Sequence, residues 1–276
     1  MHSLPDALTK LIEQARKAPA SKAAALTGLH SLDLTSLNDD DTSEKIDALV
    51  AKADQGSLGH VAATCVYPRF LTQTFNATAS KGINRATVIN FPGGHAMPKA
   101  TASATLVAVG NGANEIDIVL DYERFLAGNT QAAADLLYIC RAACGPDVKM
   151  KVILESATFE NYRDLYAASR LALDCGADFI KTSTGKSAKG GASLEAAATM
   201  LQAIKDSGGK AGLKISGGVK TVADCAQYIA LAESMMGKEW ITVDTFRFGA
   251  SGVLTDILQT LGKQPAQKAP SPPAGY

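Results

Sequence analysis

Short runs of β-branched and apolar residues alternate along this chain with longer, alanine-rich stretches whose apolar positions recur at helical spacing. The short runs centre near Asp33, Thr64, Val88, Asp117, Val152, Ile180, Lys214 and Arg247, at intervals of 31, 24, 29, 35, 28, 34 and 33 residues. Each interval has room for a strand, a helix and two loops. Strands that alternate with helices imply right-handed crossovers and a parallel sheet. Eight such units in about 250 residues favour an α/β fold of the closed (β/α)8 TIM-barrel kind. An open, doubly wound sheet is the alternative.

The helical stretches rest on period and caps. Ile46, Leu49 and Val50 share one face of a helix over 41–50. The preceding Asn38-Asp-Asp-Asp41 reads as its N-cap and acidic first turn, complementing the helix dipole, rather than as a metal cluster. From Tyr122 to Ala143, Phe125, Leu126, Ala133, Leu136, Leu137 and Cys140 form a core-facing stripe. Leu4 to Lys17 is an extra N-terminal helix, expected to cover the bottom of the barrel. The expected organisation is one barrel domain over 1–262 and a flexible C-terminal tail over 263–276. The segment 262–276 carries four prolines and little apolar content, too little to bury.

Composition narrows the function classes. Lys+Arg and Asp+Glu are balanced at 27 each, so no global field favours nucleic acid or an anionic membrane. No segment approaches the roughly 18 uninterrupted apolar residues of a membrane span. Asp6, Lys10, Glu13 and Arg16 interrupt any signal core at the N-terminus. The five cysteines, at 65, 140, 144, 175 and 225, are scattered and odd in number. They read as free thiols in a reducing cytoplasm, with no histidine or second close pair to make a zinc site.

Within the barrel reading, the working face lies at the C-terminal ends of the strands. Gly176-Ala-Asp-Phe-Ile-Lys181 runs as a buried strand into a lysine and then a glycine turn. Gly212-Leu-Lys214-Ile-Ser-Gly-Gly218 repeats the pattern. Lysine is seldom fully buried without a partner or a task. Two amines at the ends of consecutive strands depress each other's affinity for protons, which makes a nucleophilic amine able to form a Schiff base with a carbonyl. The plainer alternative is a pair of lysines snorkelling to water. Glu115, Asp117 and Val119 share parity on the fourth strand. Asp117 is costly there unless paired, either as a structural ion pair with a lysine or as the carboxylate that moves protons beside the amines.

Glycine turns follow strands six, seven and eight: Ser183-Thr-Gly185, Ser216-Gly-Gly218 and Gly249-Ala-Ser-Gly252. Backbone N–H groups freed of side chains make an anion cradle there. Gly185-Lys186-Ser187 resembles the end of a P-loop, but the first glycine of that motif falls on Ile180, so nucleotide binding is not expected. Asp33 is a candidate to reach a substrate hydroxyl, with a capping or structural role as the alternative. Cys65 either faces the pocket or fills core space. Glu155 either hydrogen-bonds the amine pair or makes an unrelated barrel ion pair. His95 reads as a surface loop residue.

Seven stretches run from the first strand to the eighth: Asp33-Leu-Thr-Ser-Leu-Asn38, Cys65-Val-Tyr-Pro-Arg-Phe70, Val88-Ile-Asn-Phe-Pro92, Glu115-Ile-Asp-Ile-Val119, Phe179-Ile-Lys-Thr-Ser-Thr-Gly185, Lys214-Ile-Ser-Gly-Gly218 and Arg247-Phe-Gly-Ala-Ser251. On these the chain resembles the deoxyribose-phosphate aldolases of the class I, Schiff-base type. The resemblance implies reversible cleavage of 2-deoxy-D-ribose 5-phosphate to glyceraldehyde 3-phosphate and acetaldehyde, with no metal or organic cofactor. It implies Lys181 as the Schiff-base lysine, Asp117 as the proton-transfer acid and Lys214 as the lysine that tunes it. Gly185, Gly217, Gly218 and Ser251 would hold the phosphate, and Asp33, Cys65, Thr182, Gly249 and Gly252 complete the expected substrate site. Two departures touch phosphate affinity: Gly252 stands where some members have a second serine, and Lys220 where an arginine is frequent.

The family often ends in a terminal tyrosine, which Tyr276 matches. A tyrosine hydroxyl, with a pKa near 10, relays protons when brought close. The residues beyond Gly262 span roughly 40 Å when extended, enough to cross a barrel mouth. An inert solvated tail is the alternative. The expected partners are small phosphosugar and aldehyde substrates, not nucleic acid or membrane, and a homodimer is compatible with the sequence. Two rival functions stand beside the aldolase: a Schiff-base aldolase or transaldolase acting on a longer sugar phosphate, and a non-catalytic phosphosugar-binding barrel.

Overall fold

The computed structural model describes residues 4–263. Tyr276 and the Pro265–Gly275 stretch lie outside the described residues. The strands are β1 (Leu32–Thr35), β2 (Ala63–Val66), β3 (Asn84–Ile89), β4 (Glu115–Val119), β5 (Lys149–Ile153), β6 (Phe179–Lys181), β7 (Gly212–Ser216) and β8 (Phe246–Ala250). All eight pair in parallel, each with the next, and β8 pairs with β1 to close the barrel. Closure excludes the open doubly wound alternative, and every strand centre read from the sequence falls inside a strand.

The helices among the described residues are α1 (Asp6–Ala15), α2 (Lys22–His30), α3 (Ser43–Val50), α4 (Leu71–Thr78), α5 (Pro98–Gly110), α6 (Tyr122–Leu126), α7 (Thr130–Cys144), α8 (Tyr162–Asp174), α9 (Leu194–Asp206), α10 (Val222–Met236) and α11 (Val253–Thr260). None is long and apolar enough to cross a membrane. Period two in the strands separates two environments. Outward residues such as Ile116, Ile118, Met150, Val152, Leu213 and Ile215 join the main apolar core beneath the helices. The inward residues at intervening positions include most of the buried charge.

The local structure departs from the sequence reading in four places. The stripe over 122–143 is two helices, because Gly128 adopts a φ of +86° and Asn129 caps α7 by accepting from the Ala132 N–H. The helix over 41–50 begins after the acidic run, with Thr42 as N-cap. Asp41 instead folds back to accept from Ser36 Oγ and the Asn38 N–H. The N-terminal helix α1 packs on α9 and α10, on the flank of the barrel rather than across its bottom. A second helix, α2, also precedes β1. It lies against α10 and α11, where Gly28 comes close to Cys225 and Ile257. Its alanine-rich sequence shows little amphipathic pattern, which is why the periodicity passes over it. At the far end, Lys263 donates to the backbone carbonyl and side chain of Gln55. All five cysteines are free and buried.

Inside the barrel, Gly212 pairs in register with Phe179, and a Cβ added at Gly212 would overlap the Phe179 ring. Overpacking of this kind costs about 1–3 kcal/mol. Gly212→Ala is therefore expected to lower the urea unfolding free energy by that amount. Wild-type stability in the variant would mean that the Phe179 ring moves aside freely.

Candidate active site

Among the described residues, seven acidic or basic side chains point into the barrel, each no more than 2% exposed: Asp33, Glu115, Asp117, Lys151, Lys181, Lys214 and Arg247. Burying so many charges is tolerable only if they pair closely, and they do. Asp117 is the hub. Its Oδ2 accepts from Lys181 Nζ at 2.8 Å and from Lys214 Nζ at 2.7 Å, and its Oδ1 accepts from Lys151 Nζ at 3.2 Å. Lys214 also lies 2.5 Å from Asp33 Oδ2. Lys151 bridges onward to Glu115 at 2.5 Å and Asp33 at 3.1 Å. Arg247 closes the network, reaching Asp33 at 2.5 Å and Glu115 at 2.8 Å.

The charges set each group's proton affinity. Burial raises the Asp117 pKa, but Lys151, Lys181 and Lys214 outweigh it and hold the carboxyl well below the usual range. Asp33 is held low in the same way by Lys151, Lys214 and Arg247. Burial works against the Lys214 ammonium, yet Asp117 and Asp33 raise its pKa above the ordinary lysine value. Lys151 is likewise raised, by Asp117, Asp33 and Glu115 against burial. Lys181 alone among the three lysines is shifted downward. Burial is the largest cause and the neighbouring Lys214 adds to it, with Asp117 opposing. The amine best placed to be neutral is therefore the one that ends β6.

A cavity of about 350 Å³ opens over this amine. Its walls are the loops after β6 (Thr184, Gly185, Lys186), β7 (Ser216 to Lys220), β8 (Gly249 to Gly252) and β1 (Thr35, Leu37, Asn38). Lys181 is the one member of the ion network that lines it among the described residues. Gly185, Gly217 and Gly218 all have positive φ, at +78°, +80° and +97°. Gly217 also packs against Gly191, which leaves no room for a side chain. At Gly249 a Cβ would overlap Ser216 Oγ and come within 2.9 Å of Lys214 Cε, so the glycine makes room for the second lysine. A further cavity, of about 270 Å³ and lined by residues such as Tyr162 and Leu165, contains none of the network residues.

The structure brings Lys181, Asp117 and Lys214 together, and puts Gly185, Gly217, Gly218, Gly249, Ser251 and Gly252 around the cavity above them. Three residues expected at the substrate do not line it. Asp33 lies within the ion network, paired with three cations. Thr182 spends its hydroxyl on β7, donating to the Ser216 carbonyl and accepting from the Ser216 N–H. Cys65 packs with Leu37, Ala63, Ala86 and Val88, and burial raises its thiol pKa. Glu155 does not reach the amines. It sits at φ +55° and accepts from the Thr184 N–H and hydroxyl, holding the loop after β6. His95 is an exposed loop residue 3.9 Å from Glu123.

Sequence reasoning passed over Lys151 and Arg247 as members of the site, left Lys186 out of its phosphate set, and tied Lys220 to phosphate affinity only as a departure from a frequent arginine. The signal for the first two was present. Lys151 interrupts Met150 and Val152, and Arg247 interrupts Phe246 and Phe248, at the inward parity of their strands. Lys186 follows Gly185 directly, Lys220 follows Gly218 with Val219 between them, and both lysines line the cavity.

Comparisons with known proteins give the fold and the family. The family model described as DeoC/LacD family aldolase matches residues 28–255. A curated deoxyribose-phosphate aldolase of Agrobacterium fabrum is 46% identical over 250 residues, covering 90% of this chain and 95% of the relative. Among solved structures, a candidate deoxyribose-phosphate aldolase of Toxoplasma gondii superposes with a TM-score of 0.80 at 22% identity, covering 90% of this chain and 97% of that one. The deoxyribose phosphate aldolase of Aeropyrum pernix gives 0.71 at 21% identity, covering 94% and 99%. The two structural likenesses speak for the fold, while the family model and the 46% identical relative assign the lineage: this chain belongs to the DeoC/LacD family of aldolases.

Proposed function

We propose that the protein is a class I aldolase that reversibly cleaves 2-deoxy-D-ribose 5-phosphate to D-glyceraldehyde 3-phosphate and acetaldehyde. The observation that carries this reading is Lys181. It is a buried amine of lowered pKa, bonded to a single carboxylate and facing a cavity walled by glycine turns. The neutral Nζ attacks the aldehyde carbon of the open-chain sugar, and loss of water gives an iminium. The iminium accepts the electrons of the C2–C3 bond as the C3 hydroxyl gives up its proton. Glyceraldehyde 3-phosphate leaves and an enamine stays on Lys181. Protonation of that enamine and hydrolysis of the resulting iminium release acetaldehyde and restore the amine.

The protons need a short path next to Nζ. Asp117 Oδ2, shared by Lys181 and Lys214, gives one, and a water completes it to the substrate. Lys214 keeps its proton because two carboxylates hold it, so it remains a positive neighbour that disfavours a second positive charge on Lys181. At the other end of the cavity, the glycine N–H groups, Ser251 and the ammoniums of Lys186 and Lys220 suit a phosphate. A tail carrying Tyr276 is the proposed carrier of the enamine proton. This reading also puts the protein among soluble, cytoplasmic enzymes.

Borohydride reduction with acetaldehyde, followed by peptide mass mapping, is expected to give an adduct on Lys181 alone. Lys181→Arg should abolish turnover, because a guanidinium stays protonated and forms no imine. An adduct on Lys214 or Lys151 would overturn the assignment of roles.

Removing the positive charge of Lys214 makes the Lys181 amine more basic, so protonation silences it up to a higher pH. Lys214→Ala should therefore move the acid limb of the rate–pH profile to the alkaline side. A large loss of rate with an unmoved limb would make Lys214 a substrate contact or proton carrier instead.

Ser251→Asp adds a like charge at the phosphate end of the cavity. At about 4 Å such a pair costs roughly 1–4 kcal/mol, depending on solvent exposure. KM for the phosphorylated sugar should rise at least about fivefold, with little change for free deoxyribose. Equal losses for both sugars would place the anion site elsewhere.

A further inference from the structure

The charges inside the barrel can be counted. β1 supplies Asp33, β4 supplies Glu115 and Asp117, β5 supplies Lys151, β6 supplies Lys181, β7 supplies Lys214 and β8 supplies Arg247. The inward residues of β2 and β3 that pack beside them, including Cys65, Ala86 and Val88, add only the thiol. Lys186 and Lys220 face the cavity beyond Lys181. We propose that Lys151 is a positioning residue of the aldolase reaction: its ammonium completes a buried cluster in which Lys151, Lys214 and Arg247 match Asp33, Glu115 and Asp117 one for one, so that a proton on Lys181 is the single unmatched charge. The inference rests on the Schiff-base reading above and extends it from the immediate neighbour of Lys181 to the whole cluster.

The geometry says how Lys151 acts without touching Lys181. Lys151 holds Asp117 through Oδ1 at 3.2 Å, while Lys181 uses Oδ2 of the same carboxylate. Asp117 is the one carboxylate bonded to Lys181 among the described residues, and it favours a proton there. Every cation that shares Asp117 weakens that effect. Lys151 also has two acceptors of its own, Glu115 at 2.5 Å and Asp33 at 3.1 Å. It is fully buried and lies away from the cavity lining, which leaves it no route to the substrate. Were Lys151 a neutral side chain, Asp33, Glu115 and Asp117 would face two cations. Lys181 would become the third by keeping its proton.

Substitutions on the two sides of the cluster shift Lys181 in opposite directions. In Lys151→Met the cluster lacks a positive charge, so Lys181 binds its proton more tightly and the acid limb moves alkaline. In Glu115→Gln the cluster lacks a negative charge, so the limb moves acid. In Lys151→Met/Glu115→Gln two cations face two carboxylates, balance returns and the limb returns with it. A residue that only supports the barrel has no reason to produce a pair of opposed shifts that cancel.

The test is the rate of acetaldehyde trapping by borohydride on Lys181, followed by mass spectrometry from acid to alkaline pH in the full chain. Each unit of limb shift changes the rate about tenfold at a fixed pH below the limb. The expected result is a loss of about that size in Lys151→Met, a gain in Glu115→Gln and the wild-type profile in the double variant. The same limb in all three, or both single variants shifting in one direction, would overturn the proposal. Lys151→Met leaves buried carboxylates short of a partner, so it is the variant most exposed to misfolding. Should it not fold, Glu115→Gln and the double variant still decide, since the acid shift must appear in the first and vanish in the second. A wild-type protein that forms no adduct at any pH would refute the Schiff-base reading itself, a result distinct from adducts whose pH profile ignores the cluster.

Discussion

The carboxylate of Asp117 is the constraint on which the site depends. Three amines from three strands converge on its two oxygens, all of them buried in the barrel interior. Such a pairing is poor evidence of stability. The cost of desolvating buried charges commonly cancels their attraction, and apolar residues of similar volume would serve the barrel as well or better. The outward faces of the same strands make the conventional choice, apolar residues packed beneath helices. The inner faces forgo it. A protein that gives up apolar filling in the centre of its fold obtains in exchange fixed charges of known sign around one amine.

Backbone geometry makes that arrangement possible at the C-terminal ends of the strands. Parallel register sets Lys181 opposite Lys214 and Lys214 opposite Arg247. Gly212 and Gly249 then open the space that the long side chains and Phe179 fill. The glycine loops after β6 and β7 line the cavity; Thr182 ties the start of the first loop to Ser216 of β7, and Glu155, just beyond β5, holds it at Thr184. Thr182 and Glu155 thus act on the site through the backbone.

How much of this was legible in the sequence depends on the range of the interaction. The barrel was legible because its signal is local and repeated: each strand run, each helix, each glycine turn. Lys181, Asp117 and Lys214 were legible because each is a charge inside a buried strand run. Lys151 and Arg247 carry the same mark, yet their roles arise from partners as distant as Glu115 and Asp33, which no local pattern pairs with them. Asp33 stayed open for the same reason. The sequence allows it a substrate contact or a structural role, and only the fold brings three cations from β5, β7 and β8 to it. The break at Gly128 and the position of α1 on α9 and α10 are likewise matters of packing and backbone conformation rather than of apolar period.

The proposed choice of nucleophile among three buried lysines rests on their acceptors and exits. Lys151 has three carboxylates within bonding distance and Lys214 has two, whereas Lys181 has one. Each extra carboxylate stabilises the ammonium and lowers the fraction of free amine. Lys151 and Lys214 are therefore held as cations, and both lie behind the cavity rather than on it. Lys181 combines the weakest hold on its proton with the open side. The proposed reaction assigns nucleophilicity to this one position because the same network that suppresses charge on it fixes charge on its neighbours.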